Sequence, residues 1–319
     1  MEKPKFWHIP VLLNELVDSI EIAWNRQNIV VDCTLGLGGH ASKIIGKLNK
    51  WDIFVGFDAD EDNLNNASLN IDKNIWEYIK EKNIKIYFIN SNFRNLKFEL
   101  NKIWIDKVTW IYYDLWVSSV HFDDENKWFS FRGEGTLDMR FDRKSWLTAK
   151  DIVNNYSEND LYRVFREYWE EKKSKFIIDN ILKARIEKEI KTTKDLLEII
   201  EGSSFDPKSK LRVFQALRIE VNDEFGALKE SLQDAVKLLD VGWIISVISF
   251  HSLEDRIVKQ TFNEFIKTEI NQITGMNMTQ PILEKVYKKP LIPKQNELDS
   301  NPRSRSSKLR VLKKINNII

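Results

Sequence analysis

The stretch "NIVVDCTLGLGGHASKIIGKL", residues 28–48, decides the fold. Ile29, Val30 and Val31 are β-branched and apolar, and the run ends in Asp32, so it reads as a buried strand. Gly36, Gly38 and Gly39 follow as a turn, and Ala41, Ile44, Ile45 and Leu48 then recur at helical spacing. A strand passing through a glycine turn into a helix lets the backbone approach a ligand closely, and the helix start offers unpaired N–H groups. Outward from this unit the pattern repeats. "DIFVGFDAD" (52–60) is a second strand ending in acids, and "EDNLNNASLNI" opens a helix. "IKIYFINSNF" (84–93) and "VTWIYYDL" (108–115) are a third and a fourth strand. Strands alternating with helices predict an α/β fold with a parallel sheet.

The rhythm then changes. From about Thr136 to Phe205 the periodicity is helical only, with Thr192 or Thr193 as N-cap of "TTKDLLEII". "KLRVFQALRIEVNDEFGALKESLQDAVKLL" continues helically, "WIISVISF" (243–250) returns to strand, and "LEDRIVKQTFNEFIKTE" is a helix. The expected organisation is an α/β core made of 1–130 and 212–319, with 131–211 inserted as an all-helical domain.

Composition narrows the class. Hydrophobic residues are 42% and charged residues 30% of 319, which describes a globular chain. No apolar run approaches the roughly 18 residues of a membrane span, and "MEKPKFWHIP" does not read as a signal peptide. Cys33 is the single cysteine, which excludes an internal disulfide and suits the cytoplasm. No His, Cys and Asp spacing forms a metal site. The net charge is only +1, but between Lys285 and Lys314 ten Lys or Arg stand against Glu297 and Asp299. This reads as a basic tail on a neutral body, suited to a polyanion or simply to solubility.

The glycine turn suggests the ligand. The second strand ends at Asp58, 20 residues after Gly38, where doubly wound sheets hydrogen-bond a ribose. A ligand carrying adenosine is therefore expected. The dinucleotide fingerprint wants a third glycine where Ala41 stands. The compact turn with Asp32 before it better suits S-adenosylmethionine, which has no pyrophosphate and whose sulfonium is a cation.

Across the chain the sequence resembles the bacterial small-subunit ribosomal RNA cytosine-N4 methyltransferases. The resemblance rests on "HIPVLLNELVDSI" (8–20), "DCTLGLGGH" (32–40), "FDAD" (57–60), "NFRNL" (92–96), "DLWVSS" (114–119) and "FSFRGEGTLDMRFD" (129–142). It continues through "LTAKDIVNNYSENDL" (147–161), "FQALRIEVNDE" (214–224), "VISFHSLEDRIVK" (247–259) and "NPRSRSSKLR" (301–310), in family order. It implies a Rossmann-like class I methyltransferase sheet with an inserted helical domain that either clamps RNA or pairs two copies as a homodimer. The implied activity is methylation of the N4 amine of a cytidine in the decoding centre of 16S ribosomal RNA, as free RNA or within the small ribosomal subunit. The family's contacts to S-adenosylmethionine fall on Gly38, Gly39, His40, Asp58, Phe93 and Asp114. One more falls on His121, where the family pattern has Gln and this chain departs from it.

Direct methyl displacement needs the attacking nitrogen positioned in line, with an acceptor for its proton. Asp114, at the end of the fourth strand, is the first candidate; Ser118 is a candidate for orienting the amine, and His251 for lining the cytidine pocket. The target base must leave its stack, and unstacked RNA is held by aromatics and cations. Arg132 and Arg140, with Arg303, Arg305, Lys308 and Arg310 in the basic segment, are the expected RNA contacts. Two other readings compete: a nicotinamide-dependent oxidoreductase, which lacks its third glycine here, and a non-catalytic RNA-binding assembly factor.

Tryptophan usage is anomalous. The chain holds 11 Gly and 11 Trp, whereas average usage gives roughly 22 Gly at this length. The family has glycine at Trp116, and this fold calls for glycine equally at Trp51, Trp104, Trp110, Trp128, Trp146, Trp169 and Trp243. Eight independent changes from the smallest residue to the largest are physically implausible. The pattern predicts an organism that reads UGA as glycine and a sequence translated with UGA as tryptophan.

Overall fold

The computed structural model describes residues 10–115, 135–143, 145–168, 174–268 and 279–318. The chain divides into two compact units, Met1–Trp116 with Gly226–Ile319, and Val117–Phe225. The first begins with α1 (Leu13–Asp18), β1 (Ile29–Asp32), α2 (Gly39–Ile45), β2 (Ile53–Asp58), α3 (Glu61–Lys82), β3 (Lys85–Asn90), α4 (Leu96–Lys102) and β4 (Val108–Asp114). The second contributes α5 (Ala149–Asn155), α6 (Glu158–Glu167), α7 (Ser174–Glu187), α8 (Thr193–Ser203) and α9 (Ser209–Asn222). α10 (Glu224–Leu238), β5 (Leu239–Ser249), α11 (Ser252–Ile266), β6 (Leu283–Lys285), α12 (Gln295–Ser300) and β7 (Lys308–Lys314) follow.

Among the described residues the sheet has seven strands in the order β3-β2-β1-β4-β5-β7-β6. β1 to β5 run parallel, and β7 lies antiparallel between β5 and β6. Successive side chains of each strand enter opposite cores. Val30, Phe54 and Ile244 face one side; Val31, Val55 and Ile245 face the other. Burial on both faces explains why these strands read as unbroken apolar runs, and all seven residues of β4 are buried. Strand order reverses at β1, between β2 and β4, which opens a crevice at the carboxyl ends. No helix among the described residues is long and apolar enough to cross a membrane.

The carboxyl-terminal segment corrects the expectation of a basic tail. "KLRVLKK" is a paired strand, with Val247 beside Arg310 and Ser249 beside Lys308. Leu309 and Val311 are buried in one core and Leu312 in the other. The stem of Lys314 is buried, and its Nζ donates to the carbonyls of Val236 at 2.8 Å and Leu239 at 2.6 Å. The long aliphatic stems of Lys and Arg carry their charges past the apolar positions, so strand alternation is hidden beneath the charge count.

The helical unit has its own core, which includes Leu137, Ile152, Phe165, Ile178, Leu196, Phe214 and Leu217. Thr148 and Thr192 close reciprocal capping boxes with Asp151 and Asp195, so Thr192 is the N-cap. The sequence pattern sets the unit boundaries at 130/131 and 211/212; the structure sets them at 116/117 and 225/226. The second shift arises because Val213, Phe214, Leu217 and Val221 of α9 bury into the helical core.

Two tryptophans adopt a conformation for which glycine is ordinarily used. Trp51 has φ 71° and Trp104 φ 62°, and they are 59% and 94% exposed. Trp104 stands just past α4: its N–H donates to Asn101 O at 3.1 Å and the Ile105 N–H to Leu100 O at 3.0 Å. That pair of bonds is a Schellman motif, whose left-handed residue is usually glycine. Trp110 differs. It is 1% exposed in β4, stacks on Tyr112 and donates Nε1–H to Ser246 Oγ at 3.1 Å. Trp146 and Trp243 have no positive φ; Trp116, Trp128 and Trp169 lie outside the described residues. Trp51→Gly and Trp104→Gly are each expected to stabilise the protein by about 1 kcal/mol in urea denaturation, because a left-handed L-residue costs about 1–2 kcal/mol and glycine's extra unfolded-state entropy offsets part of it. The gene is expected to read UGA at both codons, and UGG there would end the recoding explanation.

Candidate active site at the carboxyl ends of the strands

The turn after β1 carries Gly36 at φ 54° and Gly38 at φ 77°, conformations that side chains rarely adopt. A Cβ on Gly36 would find only Thr34 O, at 3.9 Å, so this side of the turn is open. On Gly39 a Cβ would instead meet Pro10 Cγ at 2.6 Å, so that glycine admits the chain's amino-terminal segment. Asn70 ties the turn to α3 by donating Nδ2–H to Leu37 O at 3.1 Å.

Asp58 ends β2 beside this turn. Its Oδ2 accepts the Gly36 N–H at 2.8 Å and its Oδ1 accepts the Asp60 N–H at 2.9 Å. Burial pushes its carboxyl up to about 7, against the pull of those two hydrogen bonds. A carboxylate fixed by backbone donors at the edge of an open glycine turn is placed to accept hydroxyl protons from a ligand.

His40, in the first turn of α2, reaches Asp114 at the end of β4. Its Nδ1 lies 3.2 Å from Asp114 Oδ2, and its Nε2 lies 2.9 Å from Val11 O. Both neighbours are acceptors, so both ring nitrogens donate and the imidazole is the cation. Burial pulls its pKa down, but the hydrogen bond and charge of Asp114 outweigh this and hold it above the usual histidine value.

Asp114 is also held through its backbone, whose N–H donates to Thr34 Oγ1 at 2.6 Å. The Thr34 N–H in turn donates to Asp32 Oδ1 at 2.9 Å, and the Tyr112 hydroxyl donates to Asp32 Oδ2 at 2.5 Å. Burial pushes Asp32 up to about 7, opposed by the Tyr112 and Thr34 hydrogen bonds. Asp32 thus anchors Thr34, which anchors Asp114. Thr34 and Tyr112 are not singled out by the sequence: one is a common turn residue, and the other is hidden within an apolar run. Phe93 begins the short helical turn after β3 and packs edge-on against Tyr113, centroids 5.9 Å apart.

The structure therefore gathers Gly38, Gly39, His40, Asp58, Phe93 and Asp114 at the carboxyl ends of β1 to β4. His251 sits at the end of β5 as N-cap of α11: its Nδ1 accepts the Glu254 N–H at 3.3 Å and its Nε2 is 2.8 Å from Glu254 Oε1. Arg140 is engaged within its own loop, donating to Asp138 Oδ1 at 2.6 Å and to the carbonyls of Arg143 and Ser145. Lys308 and Arg310 pair with Asp255 at 3.1 and 2.8 Å. Arg303 and Arg305 project from the exposed turn Pro302–Ser306. Ser118, His121 and Arg132 lie outside the described residues.

Fold and site together define an S-adenosylmethionine-dependent methyltransferase of class I architecture. The residues fit this donor: the turn is open at Gly36, the Asp58 carboxyl is fixed at its edge, and the Asn63 amide oxygen is buried with no hydrogen-bond partner. The chain belongs to the MraW methylase family, whose family model matches residues 5–315. It is 42% identical to "Ribosomal RNA small subunit methyltransferase H" of Streptococcus pyogenes serotype M4, over 98% of each chain. It is equally 42% identical, over 98% of each chain, to the protein of the same name from Streptococcus dysgalactiae subsp. equisimilis. Among solved structures it is similar to an rRNA methylase from Streptococcus thermophilus, with a TM-score of 0.39, 12% identity and coverage of 95% of this chain and 94% of that one.

Proposed function

We propose that this chain methylates the N4 amine of a cytidine in the decoding centre of 16S ribosomal RNA, acting in the cytoplasm. The observation that carries the reading is the match, over 98% of both chains, to relatives named as small-subunit ribosomal RNA methyltransferases. A fixed carboxylate at the carboxyl end of β4 supports it chemically. S-adenosylmethionine, when bound, supplies an electrophilic methyl group on a sulfonium. The protein's part is positioning. Asp58 with the Gly36 turn holds the nucleoside end, and the Asp32–Thr34 anchor fixes Asp114 toward the reacting end. The Asp114 carboxylate accepts a hydrogen bond from the exocyclic amine and draws its nitrogen toward a pyramidal, nucleophilic form. His40, whose Nδ1 lies 3.2 Å from its Oδ2, orients that carboxylate. Ser118, His121 and His251 stay assigned to orienting the amine, contacting the donor and lining the base pocket. The helical unit is assigned to the RNA, with Arg132 and Arg140, or to pairing two copies of the chain.

Small ribosomal subunits lacking the modification, incubated with the protein and methyl-labelled donor, are expected to yield labelled N4-methylcytidine on nucleoside analysis. Label in another nucleoside, or none, overturns the assignment. Arg303 and Arg305 are placed against phosphates because they extend from an exposed turn next to β7. Replacing both by Gln is expected to lower the salt slope of RNA binding by about 1.4, at about 0.7 for each single-strand phosphate contact. An unchanged slope in a salt titration removes them from the interface.

A further inference from the structure

The buried acceptor beside Asp58 has a use that the described protein contacts do not supply. Asn63 lies in the first turn of α3, on one stripe with Ala67 and Ile71 at a spacing of four residues. That stripe covers the glycine turn: a Cβ on Gly38 would meet Ile71 Cδ1 at 3.3 Å and Ala67 Cβ at 3.4 Å. Asn63 is 5% exposed, its side chain acts on the Asp58 carboxyl to favour the ionised form, and its Oδ1 has no hydrogen-bond partner. A carboxylate only accepts, so the amide must turn its NH2 toward Asp58 and leave its carbonyl oxygen without a donor. Buried polar atoms are rarely left so unless a ligand or water completes them.

Counting lone pairs shows what is missing. A carboxylate offers about four acceptor sites. In Asp58 the N–H groups of Gly36 and Asp60 occupy two, and the neighbouring Asn63 NH2 competes for a third. One site remains, while a ribose presents two adjacent hydroxyl donors. We infer that Asn63 is a further donor-binding residue: Asp58 accepts one ribose hydroxyl and Asn63 Oδ1 accepts the other. This rests on the assignment of S-adenosylmethionine to the site.

The test is calorimetric titration of S-adenosylhomocysteine and of its 2′-deoxy and 3′-deoxy analogues into the full-length protein and Asn63→Ala, with melting temperatures as the check on folding. Asn63→Ala is expected to bind S-adenosylhomocysteine about tenfold more weakly, the equivalent of one hydrogen bond at about 1.4 kcal/mol. One deoxy analogue is expected to bind the unaltered protein about tenfold more weakly than S-adenosylhomocysteine, and to bind Asn63→Ala with no further loss. Equal weakening of all three ligands by the substitution overturns the inference, because Asn63 would then act only through Asp58 or through packing. So does an unaltered protein that binds both deoxy analogues as tightly as S-adenosylhomocysteine, a comparison that stands even if Asn63→Ala does not fold. Failure of the unaltered protein to bind S-adenosylhomocysteine at all overturns the donor assignment as well, so the two failures are distinguishable.

Discussion

Asp114→Ala is expected to destabilise the protein by about 3–5 kcal/mol, the cost of removing one partner from a buried ion pair, and to abolish methyl transfer. His40 and Asp114 are 7% and 8% exposed. The imidazolium donates to Val11 O on one side and to Asp114 on the other, so its charge has no other described counter-ion within contact. Deprotonation of His40 is the one escape, and it pulls the cost toward the lower end of the range. The sign of the pH dependence follows from the raised His40 pKa. In the unfolded chain the imidazole titrates near 6.5. The pair's stabilisation is therefore fully present below that pH and is lost as pH rises through the higher folded value. Urea denaturation of Asp114→Ala and the unaltered protein should differ most below about pH 6.5 and converge as pH rises through the higher folded value. A difference that is constant across this range would show that His40 is not the charged partner.

Asp58→Ala is expected to weaken binding of S-adenosylhomocysteine by about 10- to 150-fold. Hydrogen bonds to a charged group are worth about 1.5–3 kcal/mol, and each 1.4 kcal/mol is tenfold in affinity. The substitution also frees the Gly36 N–H, which Asp58 holds at 2.8 Å, so the turn loses its anchor along with the ribose acceptor. Binding carries its own pH signature. Asp58 sits at about 7 in the free protein, and accepting hydroxyl protons favours the carboxylate. Affinity should fall as pH drops below about 7 and level off above it, and Asp58→Asn should flatten the profile. Stability alone runs the other way: because the folded pKa is raised from 3.8, the free protein should lose this group's contribution as pH climbs from 3.8 toward 7. Calorimetry at three pH values separates the two trends, and a flat profile for the unaltered protein would remove Asp58 from the ribose.

The strand, glycine turn and helix of 28–48 are legible residue by residue because each is set by neighbours in the chain. β-Branched residues fill β1, glycines take the positive φ values, and apolar side chains recur at helical spacing through α2. Asp58 is legible for the same reason, since its distance from the turn is one helix and one strand. The Thr192 cap, the helical insertion and the parallel order of β1 to β4 are likewise written in local patterns. So is the tryptophan anomaly, although only backbone geometry separates Trp51 and Trp104, at positive φ, from Trp110, which has an extended and satisfied place in β4.

Three features were decided by the tertiary structure. Lys308–Lys314 is a strand between β5 and β6, not a tail, because its β5 partners lie 59 to 69 residues away at Ile244–Ser249 and a backbone edge carries no local sequence mark. His40 and Asp114, 74 positions apart, form an ion pair that fixes the histidine's charge, and no spacing rule anticipates it. Asn63 reads as an ordinary polar residue in a first helical turn until packing turns it inward against Asp58. Short-range sterics and periodic burial act between neighbouring residues and leave their record in the order of the amino acids. Pairing, desolvation and the protonation of buried groups depend on what distant segments place alongside, and that is settled only when the sheet closes.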